Sequence, residues 1–179
     1  IPGGADAEII SCSEDLEFTL SSCKISGTTA TIEMKVKNVG NNSVSLQLKG
    51  GQYGYAYDDR GSKYADYNMK VAFTGDYYDE YSSSTDIPSG VTTKVSVQIY
   101  NVSEASSQFN YVLLPANKQS DLILKNIAIE GRESIALSTP QTTGVIETCN
   151  DNLDFTLLDC KYGNNYTEVQ FRVKNIGTS

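Results

Sequence analysis

The chain has 179 residues, with 14 Lys and Arg against 22 Asp and Glu, which gives a net charge of −8 at pH 7. A balance this acidic argues against nucleic acid and anionic membrane as partners, because both require a basic surface. The chain has no His, which removes His-based catalytic triads and His metal sites. We therefore expect a noncatalytic protein without a cofactor or metal and without membrane insertion, since no apolar run reaches about 18 residues.

Two stretches within residues 12–40 alternate apolar and polar residues with a period of two. The apolar positions are Leu16, Phe18 and Leu20, followed by Ile32, Met34 and Val36. A period of two places one set of side chains on a buried face and the other set in solvent. The pattern predicts two half-buried strands that form an antiparallel pair, joined near Ser26 and Gly27.

Further strands are predicted at short intervals along the chain. The candidate segments are 43–49, 53–58, 63–73, 91–100, 109–114 and 121–129. Turn-forming residues separate them, as in Pro88-Ser89-Gly90 and Asp59-Arg60-Gly61. About eight strands with this spacing predict an all-β, antiparallel, immunoglobulin-like sandwich spanning residues 11–130. Residues 1–10 read as a linker-like segment.

Two acidic stretches are candidate ligand sites. The first is a Tyr-rich loop that comprises Asp76, Tyr77, Tyr78, Asp79, Glu80 and Tyr81. Aromatic faces beside carboxylates can bind sugars, and Tyr is also enriched where proteins meet. The second stretch, Asp58 to Gly61, is read first as a hairpin turn and only second as a group of metal ligands.

The end of the chain repeats its beginning. After a Ser/Thr-rich linker at 131–147, residues 149–177 match residues 12–40 at 11 of 29 positions, with a constant offset of 137. A period this long indicates tandem domains rather than solenoid turns. Residues 148–179 are therefore predicted to be the first two strands of a second sandwich.

A hairpin of this kind needs a covering partner, because isolated hairpins are marginally stable in water. The predicted assembly interface consists of Leu153, Phe155, Leu157, Val169, Phe171 and Val173. Two sources of cover remain open: a neighbouring chain, or an adjacent repeat of a longer array.

The four cysteines, Cys12, Cys23, Cys149 and Cys160, all lie in the repeated segment, and none forms a CxxC pair. This arrangement favours disulfides over zinc, and disulfides indicate an extracytoplasmic location. Each repeat could close on itself, as Cys12–Cys23 and Cys149–Cys160. Alternatively, Cys12 lies where the chain enters the sandwich and Cys23 at the far pole, so that a Cys23–Cys149 bond staples consecutive repeats. Both connectivities remain open.

Three sequons are consistent with an extracellular protein. They begin at Asn41, Asn101 and Asn165 and are candidate glycosylation sites.

Three motifs together resemble a known group of domains. They are VKNVGNNSV after the second strand, then YDDRGSKY, then IPSGVTTKVSVQIYNV. The chain is similar in these motifs to immunoglobulin-like domains of secreted and lipid-anchored bacterial proteins, including the adhesion-related tandem repeats of prokaryotic surface proteins. The resemblance implies a surface location and a noncatalytic role.

The sequence thus predicts an extracellular or cell-surface structural repeat of a filament, stalk or adhesin. Its expected partners are other copies of itself or adjacent repeats, and disulfides would stabilise the junctions. The alternative is a surface module that binds a glycan or a protein through the Tyr-rich loop.

Overall fold

The computed structural model describes residues 6–73, 82–117, 119–132, 152–162 and 167–177, with the side chains of 160–162 and 167–168 left aside. The chain divides into two compact units, Ile1–Ser134 and Ile135–Ser179. Each unit is taken by itself below.

The described part of the first unit consists of strands and one short 3-10 helix. The strands are β1 (Glu8–Ile10), β2 (Leu16–Ser26), β3 (Thr29–Asn38), β4 (Val44–Lys49), β5 (Tyr55–Asp58), β6 (Lys63–Ala65), β7 (Met69–Phe73), β8 (Ser82–Ile87), β9 (Thr92–Ile99), β10 (Gln108–Leu114) and β11 (Leu122–Ala128). The 3-10 helix, Asp66–Asn68, lies between β6 and β7.

These strands form an antiparallel sandwich, which confirms the predicted fold class. One sheet has the order β1-β11-β10-β5-β6, and the other has the order β2-β3-β9-β7. A separate ribbon pairs β4 with β8. The buried side chains of the two sheets join in one apolar cluster.

Strand β3 shows why the sequence folds in this way. Ile32, Met34 and Val36 are 0%, 1% and 0% exposed, whereas the intervening Glu33, Lys35 and Lys37 are exposed. Complete burial of an aliphatic side chain of this size stabilises a fold by about 1.5–3 kcal/mol. A shift of one residue in register would move this apolar set into water, so the pattern fixes the register as well as the strand.

The structure has two short strands that the sequence does not predict, and it divides one predicted strand into two. Residues 8–10, predicted as part of a linker-like segment, instead form β1 and pair with β11. The predicted strand 63–73 is divided into β6 and β7 by the 3-10 helix, in which Asp66 has a φ of 52°. Strand β8 has the sequence SSSTDI, which carries no apolar alternation and is held by its pairing with β4.

The described part of the second unit is an antiparallel hairpin of β12 (Leu153–Tyr162) and β13 (Thr167–Asn175). Its register repeats that of β2 and β3: Leu153 pairs with Asn175 as Leu16 pairs with Asn38. The pairing also shifts at equivalent places, between Leu157 and Asp159 and between Leu20 and Ser22. The repeat seen in the sequence is therefore a repeat of backbone geometry.

Candidate functional site

The residues predicted to form an assembly interface lie on the two strands of the second hairpin. On β13, Val169, Phe171 and Val173 are 43%, 49% and 52% exposed. On β12, the side chains of Leu153, Phe155 and Leu157 are half-buried. The hairpin therefore presents a partly exposed apolar face, which we term the hairpin face, defined by these six residues.

The first unit shows what the same face looks like when it is covered. Ile32, Met34 and Val36 occupy the positions equivalent to the three β13 residues and are essentially inaccessible to solvent. In the first unit β3 pairs with β9 along its other edge, from Ala30–Ile99 to Lys37–Thr92. The apolar residues of β10 and β11 belong to the same buried cluster as those of β3. Burial of the face thus depends on strands distant in sequence.

The two hairpins share a feature at their ends, where both copies carry an Asn-x-Gly element. The side-chain Oδ1 of Asn38 accepts a hydrogen bond from the Gly40 amide at 2.9 Å. Asn175 accepts the equivalent bond from the Gly177 amide, also at 2.9 Å. The residue between Asn and Gly also makes an equivalent backbone hydrogen bond in each copy. Val39 N donates to Asp15 O and Ile176 N donates to Asn152 O, each at 2.8 Å. These local bonds are common to both copies.

The amide group of Asn38 makes two further bonds, one of which depends on a strand distant in sequence. Its Nδ2 donates to the carbonyl oxygens of Asn42 and Ile87, at 2.7 Å each, and Asn38 is completely buried. Asn175 is exposed. The candidate sites predicted from the sequence do not include Asn38, although both copies contain the run VKN, which is a signal that could identify it.

The turn between β8 and β9 completes this end of the first hairpin. Asn38 N donates to Val91 O at 3.0 Å, and Gly90 N donates to Asn38 O at 2.9 Å. The hydroxyl of Ser89 donates to Gly40 O at 2.6 Å. The predicted Pro-Ser-Gly turn therefore closes over the end of β3 and fixes it.

The structure places Cys12 and Cys23 at opposite ends of the first unit as free, buried thiols. Cys12 O accepts a hydrogen bond from Ser120 N, before β11 begins, and Cys23 O accepts one from Glu130 N, after β11 ends. Strand β11 alone spans roughly 20 Å, at about 3.3 Å per residue. A disulfide requires Cα atoms within ~7 Å, so this fold does not allow closure of Cys12 on Cys23.

The premise that Cys12 lies where the chain enters the sandwich is also wrong, because β1 comes before it. The chain enters beside the end of β11, where Asp6 O accepts a hydrogen bond from Asn126 Nδ2 at 3.4 Å. Cys23 lies at this same pole, in a shallow pocket that also includes Asp6 and Glu130. Only Cys23 is therefore placed near the points where the chain enters and leaves the first unit.

Both thiols are poor nucleophiles in the folded unit. Burial raises the pKa of Cys12 to about 11. Burial, with a smaller contribution from the charge of Glu130, raises the pKa of Cys23 to about 12. Since the thiolate is the reactive form, neither group reacts readily near neutral pH.

The other two cysteines, Cys149 and Cys160, belong to the second unit. Cys160 belongs to β12 and pairs through its backbone with Val169. Cys149 lies outside the described residues. Disulfide bonding between units remains a prediction.

The acidic stretch at Asp58 forms a turn that links two loops. Asp58 is 1% exposed, and its Oδ1 accepts hydrogen bonds from the amides of Arg60 and Ser62 at 2.9 and 2.8 Å. Its Oδ2 accepts bonds from the hydroxyls of Tyr64 and Ser106. Both carboxylate oxygens are therefore engaged with protein donors, which fits a structural turn. No group of three or more potential metal ligands occurs in the part of the chain that the structure describes.

The other predicted sites are only partly described. The Tyr-rich loop, Asp76 to Tyr81, and the sequon residue Asn165 lie outside the described residues. Asn41 and Asn101 are both exposed, and Asn101 Nδ2 donates to Asn68 Oδ1 at 2.8 Å. Among the described residues, no helix has the length and apolar character needed to cross a membrane.

Comparisons with known proteins gave structural similarity only. No protein-family model and no curated protein matches the chain. An apo PmoF2 PCuAC domain aligns with 64% of this chain and 90% of its own length, at 11% identity and a TM-score of 0.42. The PapD-like domain 7 of human CEP192 aligns with 68% of this chain and 91% of its own length, at 14% identity and a TM-score of 0.38.

A third solved structure is the CooA pilin subunit from enterotoxigenic Escherichia coli. It aligns with 64% of this chain and 95% of its own length, at 12% identity and a TM-score of 0.33. The sandwich of the first unit is defined by its own strand order and register.

Proposed function

We propose that this chain is a noncatalytic structural repeat of an extracellular, cell-surface assembly such as a filament, stalk or adhesin. In this proposal the hairpin face of the second unit is the assembly surface, and strands of another sandwich unit cover it. The observation that carries the proposal is the contrast in exposure between Val169, Phe171 and Val173 and their buried equivalents in the first unit.

Burial of the hairpin face by a partner is favourable in free energy. Completing the burial of three half-exposed apolar side chains contributes roughly 1 kcal/mol for each of them. A two-stranded hairpin is marginally stable in water by itself, so this gain is large relative to its own stability. Strand addition along β13 would supply main-chain hydrogen bonds as well.

The first unit indicates what the covering partner contributes. A strand resembling β9 would pair with β13, as β9 itself pairs with β3. A backbone carbonyl at the end of the strand that precedes this one in the partner would accept a hydrogen bond from Asn175 Nδ2, as Ile87 O at the end of β8 does from Asn38. An aliphatic sheet resembling β10 and β11 would pack on Phe171 and Val173.

Disulfides between units would lock such a junction. Cys23 lies at the pole where the chain leaves the first unit, and the fold prevents its pairing with Cys12. Cys23 is buried, so a bond to it requires either local opening of β2 or oxidation before folding is complete. An oxidising, extracytoplasmic location is part of the proposal for this reason.

The proposal is tested by the oligomeric state of the 179-residue chain in sedimentation equilibrium. We expect concentration-dependent association, and we expect Val173→Lys to weaken it by about tenfold or more, because a charge would enter an apolar contact. Gln170→Lys is the matched control, since it adds the same charge to the opposite face of β13 and should leave association unchanged. A monomeric wild-type chain at all concentrations, or an equal effect of both variants, would contradict the proposal.

The alternative function, a module that binds a glycan or protein through Tyr77, Tyr78 and Tyr81, remains a prediction. Replacing these three residues by Ala would abolish ligand retention while leaving association intact if that alternative holds.

A further inference from the structure

The outer face of the five-stranded sheet carries two ordered rows of side chains. Ala56, Val112 and Leu124 are completely buried, so the alternate positions on their strands point away from the core. Strand register aligns these outward positions across all five strands. The first row is Lys63, Tyr57, Tyr111, Lys125 and Glu8, and the second row is Ala65, Tyr55, Leu113, Ile123 and Ile10.

Three tyrosines form the centre of this surface, which we term the aromatic face, defined by the two rows. The rings of Tyr55 and Tyr111 have centroids 6.0 Å apart and lie within 22° of parallel. Tyr57 contacts Tyr55 edge to face at 5.8 Å and is 38% exposed. Lys63 Nζ lies 5.1 Å from the Tyr55 centroid and 5.9 Å from that of Tyr57.

The opposite outer face of the same sandwich has a different character. On the four-stranded sheet, the outward positions of β3 are Glu33, Lys35 and Lys37, and Lys94 on β9 pairs directly with Lys35. Charged residues are usual where an antiparallel sheet meets water. The aromatic face departs from this pattern within one domain, and clustered surface aromatics are typical of binding surfaces.

The size of the aromatic face limits what can bind there. Five strands spaced about 4.8 Å apart give a surface roughly 19 Å long, and the two rows are separated by about 7 Å. Its area is on the order of 130 Å², whereas a stable protein partner buries about 800 Å² on each side. The surface therefore fits an elongated small ligand better than a second protein.

The charges of the aromatic face favour a neutral ligand. Lys125 Nζ forms an ion pair with Glu8 Oε2 at 3.2 Å, so both signs of charge lie side by side in one row. The chain as a whole carries a charge of −8, which disfavours approach of a polyanion. Lys ammonium, Glu carboxylate and Tyr hydroxyl groups together donate to and accept from hydroxyl groups.

We propose that the aromatic face binds a neutral oligosaccharide of three to four pyranose rings. The C–H bonds on one face of a pyranose carry a small positive charge and contact the negative faces of the tyrosine rings. The polar groups at both ends of the first row then bind the sugar hydroxyls. The residues of this site are different from those of the hairpin face and of the Tyr-rich loop.

The experiment titrates the 179-residue chain with cellohexaose, xylohexaose and mannohexaose by calorimetry and by NMR of backbone amides. We expect at least one of these probes to bind and to shift the amide signals of Tyr55, Tyr57 and Tyr111. Tyr57→Ala should weaken binding by about tenfold. Tyr67→Ala is the control, because Tyr67 is 66% exposed but lies on the 3-10 helix outside the rows.

Several outcomes would overturn the proposal. One is that none of the three probes binds at concentrations up to about 10 mM. Another is that a probe binds to the wild-type chain but shifts amide signals outside the aromatic face. This outcome is measured without any variant, so it does not depend on whether a variant folds. A third is that Tyr57→Ala leaves sugar binding unchanged and reduces self-association instead, which would assign the aromatic face to a protein contact.

Discussion

The hairpins β2–β3 and β12–β13 have the same register, the same shift in pairing and the same Asn-x-Gly hydrogen bonds, yet they differ in burial. Features determined within the hairpin are therefore present in both copies. Features that require β8 to β11 are present in the first copy alone. The comparison teaches that strand formation and register are local properties here, whereas burial is a property of the completed sandwich.

The largest expected difference between the two hairpins concerns Met34 and Phe171. Met34→Ala should lower the free energy of unfolding of the first unit by about 2–5 kcal/mol, because it leaves a cavity in a close-packed core. Phe171→Ala should change stability by less than about 1 kcal/mol in chains kept dilute enough to be monomeric. Urea unfolding followed by tyrosine fluorescence measures both. Equal losses of unfolding free energy would show that Phe171 is as buried as Met34, which would contradict the difference in burial between the two hairpins.

A smaller difference is expected for the paired asparagines. Asn38→Ala would remove the side-chain bonds to the Asn42 and Ile87 carbonyls and to the Gly40 amide, so we expect a loss of about 2–3 kcal/mol. Asn175→Ala removes one bond at an exposed site and should cost about 0.5–1 kcal/mol. If the two variants unfold at the same urea concentration, the role assigned to the buried amide is wrong.

A further effect, which depends on pH, concerns the thiols of the first unit. An unfolded chain ionises its cysteines near their ordinary pKa of about 8.5, while the folded unit keeps Cys12 and Cys23 protonated up to about 11 and about 12. The folded state then binds more protons than the unfolded state in this range, so stability is complete below pH ~8.5 and falls as pH rises further.

Unfolding of the reduced chain between pH 8 and 10 measures this decline, and Cys12→Ser with Cys23→Ser should flatten it. Alkylation of the native chain with iodoacetamide at pH 8, mapped by peptide mass, should leave both residues unmodified. Rapid modification of Cys23 would contradict its burial. It would also mean that the Cys23 thiol can reach another unit without the local opening of β2 proposed above.

Much of the fold could be predicted from the sequence because apolar alternation is strong where strands are buried on one face. Strands β3, β4, β9, β10 and β11 lie close to their predicted positions for this reason. Strand β8 has only one buried apolar residue, Ile87, and β1 has three residues, so neither carries a pattern that local sequence reveals. Both depend on partners far along the chain.

The candidate sites also differ in whether a local sequence pattern reveals them. The apolar residues of the hairpin face could be found from the repeat, because each has an equivalent at an offset of 137 residues. The aromatic face could not, since Tyr55, Tyr57 and Tyr111 come together only through the pairing of β5 with β10. The sequence leaves open whether Cys12 lies close to Cys23, and the hydrogen bonds that the two residues make on either side of β11 show that they lie far apart.

The antiparallel pairing of β1 with β11 has a mechanical consequence for the first unit. The chain enters near Asp6 and leaves near Glu130 at the same pole, so a pulling force on these two points would act across the β1–β11 ladder. The ladder would then open like a zipper, one backbone hydrogen bond at a time, rather than resist through all its bonds together. A unit built in this way yields at low tension, and a covalent bond at Cys23, beside both points, would be well placed to carry the load.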